Sequence, residues 1–281
     1  MPVAVTTDGV RVAFTDLGGT GDPILFAHAT GFHGHVWRPV AAELRDAFHG
    51  VTFDERGHGD TAASEAGQSW LGFARDALAV VDEAGLDGRP FGVGHSAGGA
   101  ALLLTELERP GTFRGLWCYE PILPPPRSPD APPFPSNANP LAAGARRRRE
   151  VFPSRAAAFE NYAGKPPFSV LDRAALRAYV EFGFDDLEDG TVRLKCRGEV
   201  EAATYEMAGR HGAVERLAEI ACPVVFASGA HTDTPFGPDL LGRLVQRMPD
   251  ARSEVFDDLG HFGPLQDPAA IAASIRRAFS S

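Results

Sequence analysis

The chain reads as an α/β protein: a mostly parallel central sheet flanked by helices, with a helical cap inserted into it. Three observations carry that reading. Short apolar runs alternate with helix-compatible segments along most of the length, the pattern of a parallel sheet covered on both faces. One apolar run, Pro90-Phe91-Gly92-Val93, feeds into Gly94-His95-Ser96-Ala97-Gly98 and then into the small, helix-prone stretch Gly99 to Leu104, a strand-turn-helix setting. The alternation breaks at Pro121 and resumes near Pro223. The expected division is therefore core at 1–120 and 212–281, with a cap at 121–211.

Taken in order, Val3-Ala4-Val5 and Val10 to Phe14 flank Asp8-Gly9 and predict a hairpin at one sheet edge. Pro23 to Ala27 and Gly50 to Phe53 are continuous apolar runs with a helix-compatible segment, Trp37 to Phe48, between them, which makes a βαβ unit. A helix follows from about Ser69 to Ala84, then the strand before Ser96, a helix through Leu107, and the strand Gly115 to Tyr119. A proline cluster from Pro121 to Pro135 cannot join a sheet interior. Beyond it, helical segments are expected around Arg155 to Tyr162, Asp172 to Phe182 and Glu199 to Ala208. The core rhythm then returns with Pro223 to Ala227 as strand, Asp239 to Met248 as helix, Ser253 to Phe256 as strand, and Pro268 to Phe279 as the closing helix.

Composition narrows the classes. With 281 residues, 44% hydrophobic and 23% charged, the chain can bury a large core, and no apolar run approaches the roughly 20 residues of a membrane span. A net charge of -10 argues against a nucleic-acid partner. The exception, Arg146-Arg147-Arg148-Arg149, lies in a helix-compatible stretch from Leu141 to Phe152 and reads as a solvated helix face. Cys118, Cys196 and Cys222 are odd in number and lack C-x-x-C spacing, which suits buried free thiols. The start Met1 to Gly9 has no basic, apolar leader, so the cytoplasm is the expected location. His28, His33, His35, His58, His95 and His231 crowd the motif regions, yet none has H-E-x-x-H spacing, and no dinucleotide fingerprint follows the glycines. Neither metal nor cofactor is expected, and monomer and homodimer both stay open.

A serine between glycines at a strand-to-helix turn is the setting of a nucleophile elbow. The tight turn lifts the Ser96 hydroxyl clear of the sheet and aims the Ala97 N–H, at the positive end of a helix, toward a developing oxyanion. With His28-Ala29-Thr30-Gly31 after one strand, Asp54-Glu55-Arg56-Gly57-His58-Gly59 after the next and Leu259-Gly260-His261-Phe262 near the end, the chain resembles the α/β-hydrolase superfamily. Within it, the capped esterases, haloperoxidases and C–C hydrolases are the nearest in pattern. The resemblance implies an α/β-hydrolase fold, a nucleophile at Ser96, a base at His261, and oxyanion donors at Thr30 and Ala97. It places the third, acidic member at one of two positions. Glu120, directly after a central strand, is preferred. Asp233 is the alternative, although it stands four residues beyond Gly229 where the family pattern puts an aspartate at the place held by Thr232. The Asp54 to Gly59 loop is assigned a structural role.

Expected substrate contacts are Phe32, Trp37, His95 and Phe262, with Phe134, Phe152, Phe159, Tyr162, Phe168, Tyr179, Phe182 and Tyr205 shared between cap core and pocket. The expected substrate is a small neutral or apolar acyl compound. The expected reaction is hydrolysis of a carboxylic ester or lactone through an acyl-enzyme. Cleavage of a C–C bond by the same triad and a non-catalytic ligand receptor on the same fold remain open alternatives.

Overall fold

The computed structural model describes residues 1–86, 88–124, 139–207 and 211–280. The prolines from Pro125 to Pro135, and Phe134 among them, lie outside the described residues. Along the chain run β1 (Val3–Val5), β2 (Arg11–Gly19), β3 (Asp22–Ala27), α1 (Arg38–Leu44), β4 (Phe48–Phe53), α2 (Trp70–Glu83), β5 (Phe91–His95), α3 (Ala97–Glu108) and β6 (Leu116–Tyr119). The insertion holds α4 (Pro140–Arg147), β7 (Val151–Phe152), α5 (Arg155–Ala163), α6 (Arg173–Phe182), β8 (Phe184–Asp186), β9 (Val192–Leu194) and α7 (Gly198–Met207). The chain then closes with α8 (Ala213–Arg216), β10 (Val224–Gly229), α9 (Pro238–Val245), β11 (Ala251–Phe256), α10 (Gly263–Gln266) and α11 (Pro268–Phe279).

Eight strands form one sheet in the order β1-β2-β4-β3-β5-β6-β10-β11. The β1-β2 and β2-β4 pairs are antiparallel and every later pair is parallel. Strands β5, β6 and β10 are buried at every position, which is why they read as unbroken apolar runs. On one face the sheet meets Phe73 and Val80 of α2, Leu103 of α3, and Leu241 and Leu244 of α9. On the other it meets Val40 and Leu44 of α1, Ile271 and Ile275 of α11, and the cap. Caps predicted by helix-start chemistry are present: Ser69 Oγ accepts from Gly72 N at 3.1 Å, and Asp172 Oδ1 accepts from Ala174 N at 2.7 Å. No helix among the described residues is long and apolar enough to cross a membrane.

The insertion is not wholly helical, which corrects the expected helical cap. Strands β7, β9 and β8 form a second, antiparallel sheet in that order. Strands of two or three residues are too short for an alternating pattern to stand out. Their one local signal is Asp189-Gly190, where Asp189 Oδ1 accepts from Thr191 N at 3.0 Å and Gly190 takes φ +81°. The insertion is fastened to the core at several points: His33 Nε2 lies 3.1 Å from the Tyr179 carbonyl, Asp172 N donates to Leu265 O at 2.7 Å, and Lys195 Nζ pairs with Asp60 at 2.5 Å.

Candidate active site

Parallel register brings the site together before any side chain is considered. His95 pairs with Tyr119, and Tyr119 with Ala227, so β5, β6 and β10 end side by side. Ser96 leaves β5 and Glu120 leaves β6 at adjacent points on that edge, where α/β proteins gather their chemistry. Both residues turn sharply, with φ of 54° at Ser96 and 40° at Glu120. Positive φ at non-glycine residues is strained backbone, held here by Ser96 N to Tyr119 O (2.9 Å), Ile122 N to Ser96 O (3.1 Å) and Glu120 N to Ala227 O (2.8 Å). The flanking glycines are steric necessities. A Cβ at Gly94 would sit 2.6 Å from the Gly99 backbone, and one at Gly98 would sit 2.4 Å from the Ala27 carbonyl oxygen.

Glu120 is fully buried, yet it receives four hydrogen bonds. Its Oε2 accepts from His261 Nδ1 at 2.7 Å, Thr232 Oγ1 at 2.7 Å and Thr234 Oγ1 at 2.9 Å, and its Oε1 accepts from Gly229 N at 3.1 Å. Asp233, the other predicted carboxylate, is exposed between those two threonines, and it is Glu120 that lies against the imidazole. The place where a later-strand aspartate was expected is taken by Thr232, whose hydroxyl serves Glu120 instead.

His261 is held from its backbone as well. Its carbonyl accepts from His95 Nε2 at 2.8 Å, and the two rings lie 5.0 Å apart. His95 was expected to touch substrate; it is buried at the end of β5, and burial, then the neighbouring His261, pushes its pKa well below the usual histidine range. It braces the His261 loop as a neutral ring. Trp37, also expected at the substrate wall, is 1% exposed in the core with its ring 5.3 Å from Phe26. A 3₁₀ turn at Gly34–Trp37 carries the indole back into the core.

At the start of α3, the Gly98 N–H is consumed by the His28 carbonyl at 3.1 Å, while the Ala97 N–H, first in the helix, has no intrahelical acceptor. Across the strand end, the Thr30 N–H has no acceptor among the described residues. Neither amide has an acceptor among the described residues. The Asp54 to Gly59 loop sets the surrounding turns: Asp54 accepts from Gly34 N at 2.7 Å and Asp60 N at 2.8 Å, and Arg56 pairs with Asp76 at 2.7 Å and Asp8 at 2.8 Å.

A cavity of about 380 Å³ lies between this edge and the cap, lined at its core side by Thr30, Gly31, Phe32 and Phe262. Phe152, Tyr162, Phe168 and Tyr205 line it from the cap, whereas Phe182 instead stacks on His35 at 3.9 Å and Phe159 faces Arg173. The cavity also reveals what sequence reasoning missed. Arg148 is not on a solvated helix face: α4 ends at Arg147, and Arg148 takes extended backbone (φ -67°, ψ 147°) and turns inward to line the cavity. There it pairs with Glu201 of α7 at 2.5 Å. Glu201 lies so close to the loop after β3 that a Cβ at Gly31 (φ +81°) would meet its Oε1 at 2.7 Å.

A model of the alpha/beta hydrolase family matches residues 24–274. Among curated proteins, the chain is 32% identical over 103 residues to a non-heme chloroperoxidase of Kitasatospora aureofaciens, covering 36% of this chain and 37% of that protein. It is also 32% identical over 111 residues to a bifunctional esterase/perhydrolase of Acinetobacter calcoaceticus, with the same two shares, 36% and 37%. The matched segment thus spans just over a third of the length of these relatives. The solved structure of E-2-(acetamidomethylene)succinate hydrolase superposes with a TM-score of 0.82 at 21% identity, over 100% of this chain and 99% of that one, a likeness of fold.

Proposed function

The chain belongs to the alpha/beta hydrolase family, and from that premise we propose that it is a serine hydrolase cleaving a carboxylic ester or lactone through an acyl-enzyme on Ser96. His261 acts as base, Glu120 as its orienting carboxylate, and the Thr30 and Ala97 amides as the oxyanion donors. The observation that carries the reading is the 2.7 Å contact between buried Glu120 and His261 Nδ1, on the sheet edge where Ser96 makes its strained turn.

A serine hydroxyl is a weak nucleophile until a base takes its proton. With Nδ1 donating to Glu120, the lone pair of His261 is on Nε2, the nitrogen left to receive the Ser96 proton as Oγ attacks the acyl carbon. The carbonyl oxygen becomes an oxyanion that two free amides can stabilise without reorganising. Collapse expels the alcohol, which takes the proton back from Nε2. Water, activated by the same imidazole, then attacks the acyl-enzyme and releases the acid. Glu120, bonded to Nδ1, stabilises the transient imidazolium.

Intact-mass analysis after treatment with a small fluorophosphonate tests the nucleophile. One adduct on the wild type, none on Ser96→Ala, and turnover of simple esters only by the wild type are expected. An adduct that persists on Ser96→Ala overturns the assignment. Absence of both adduct and turnover, with thermal stabilisation by small acyl compounds, returns the receptor alternative.

A further inference from the structure

The cavity beneath the cap carries a charge opposite to that of the chain. Its lining holds three cations, Arg148, Arg149 and Lys165, against the single anion Glu201, a surplus of two positive charges in a protein of net charge -10. Arg148 is the inner member, its side chain 15% exposed. Nη1 donates to Glu201 at 2.5 Å, and Nη2 donates to Tyr179 Oη at 2.8 Å and Tyr162 Oη at 3.3 Å. These bonds use three of the five N–H donors of a guanidinium. Nε and the second Nη1 hydrogen have no protein partner among the described residues.

A guanidinium fixed in plane by two tyrosine hydroxyls, with donors left over, is preorganised to receive a planar anion. Glu201 keeps the charge in place without exhausting it. Two exposed cations stand on the same wall: Arg149, whose Nε donates to the Val151 carbonyl at 2.7 Å and whose guanidinium lies 4.5 Å over the Phe152 ring, and Lys165, which donates to Asn161 Oδ1 at 3.0 Å. Thr30 and Phe262 line the same cavity while Ser96 and His261 do not, so its cationic wall lies beside the acyl-transfer edge, in a space of the size of a short acyl chain.

We infer that this cavity selects substrates whose acyl chain carries a carboxylate, with Arg148 taking that carboxylate and Arg149 and Lys165 lining its approach. The inference rests on the proposed hydrolase reading for the bond that is broken. It replaces the neutral or apolar acyl group suggested by composition.

The test compares 4-nitrophenyl butyrate with the mono-4-nitrophenyl esters of succinate, glutarate and adipate. At least one hemiester should exceed butyrate in kcat/KM by about tenfold or more, with a preference that shrinks as salt is raised. In Arg148→Gln/Glu201→Gln, which orphans no carboxylate, the preference should fall by about tenfold. Lys165→Gln, at an exposed position, should lower it by a smaller factor, and it serves if the double variant does not fold. Butyrate cleaved as well as every hemiester overturns the anion site and leaves the hydrolase standing. If no ester is turned over, the hydrolase reading fails, and thermal shift with monomethyl glutarate decides the rest. Stabilisation of the wild type that is reduced in Lys165→Gln keeps the anion site, and no stabilisation overturns it.

Discussion

Glu120 gains its proposed role from its neighbours more than from its own chemistry. Two threonine hydroxyls on Oε2 and a backbone amide on Oε1 hold the buried carboxylate against His261. Glu120→Gln keeps the shape but replaces an ionised acceptor with a neutral one, and kcat should fall by roughly 10²- to 10⁴-fold. Asp233→Asn, at an exposed position, should stay within about twofold of wild type. Equal losses from the two would remove Glu120 from the triad. Because Thr232 Oγ1 lies 2.7 Å from the oxygen that bonds His261, a carboxylate placed there has a path to the same imidazole. Glu120→Ala/Thr232→Asp should therefore recover about tenfold or more of the activity lost in Glu120→Ala, measured as kcat at saturating ester.

The elements that carry the site were readable in proportion to their length and burial. Strands such as β5 and β10 announce themselves because both faces are buried and the apolar run is unbroken. The elbow glycines were readable for a mechanical reason, and α3 shows it: the helix is buried from Ala97 to Leu107 and its first turn lies against the loop after β3. Gly98→Ala would drive a methyl into the Ala27 and His28 carbonyl oxygens, at 2.4 and 2.6 Å, and backbone cannot move aside cheaply. We expect it to lower unfolding stability by about 1 to 3 kcal/mol, read from the urea midpoint, with a loss of activity as the helix start shifts. An unchanged midpoint and rate would show that the turn has slack that this packing denies. The cap strands and Arg148 escaped sequence reading for the opposite reason. A run of four arginines has no periodicity to read, and which of them faces inward is decided by where α4 stops, one residue before Arg148. The preference for Glu120 over Asp233 was legible from its place directly after a strand and from the spacing of Asp233 beyond Gly229, but the contact with His261 was not, since it depends on β6 and β10 being neighbours in the sheet.

Packing so many imidazoles under one cap makes the folded protein sensitive to acid. Burial lowers the pKa of His33 and of His35 to about 4, and burial also lowers those of His28, His58 and His95. Other charges around His33 contribute less: Lys195 lowers its pKa further and Asp60 raises it. An unfolded chain protonates His33 and His35 near pH 6.5, while the folded state resists until about pH 4, so between those values the unfolded state binds more protons and stability falls as pH falls; the other three buried rings act in the same direction. For a ring shifted this far, the loss at pH 5 relative to neutral pH is about 2 kcal/mol. Asp76, Asp54 and Glu55 work against this trend: burial raises the pKa of each, that of Asp76 to about 6 and that of Glu55 well above the usual carboxylate range, so protonating them relieves a cost, about 1 kcal/mol for Asp76 over the same interval. Those five lowered imidazoles outnumber the three raised carboxylates, and a net loss of even a few kcal/mol is a large share of the stability of a typical domain. His33 also bonds the Tyr179 carbonyl of α6, which joins this titration to the cap's hold on the core. Urea unfolding at pH 7.5, 6 and 5 should show a midpoint that drops steeply below pH 6.5, and His33→Gln, which retains a donor for Tyr179, should flatten that drop. A midpoint that is the same at pH 5 and pH 7.5 would mean that the buried rings take up protons in place, with the cap opening far enough to hydrate them.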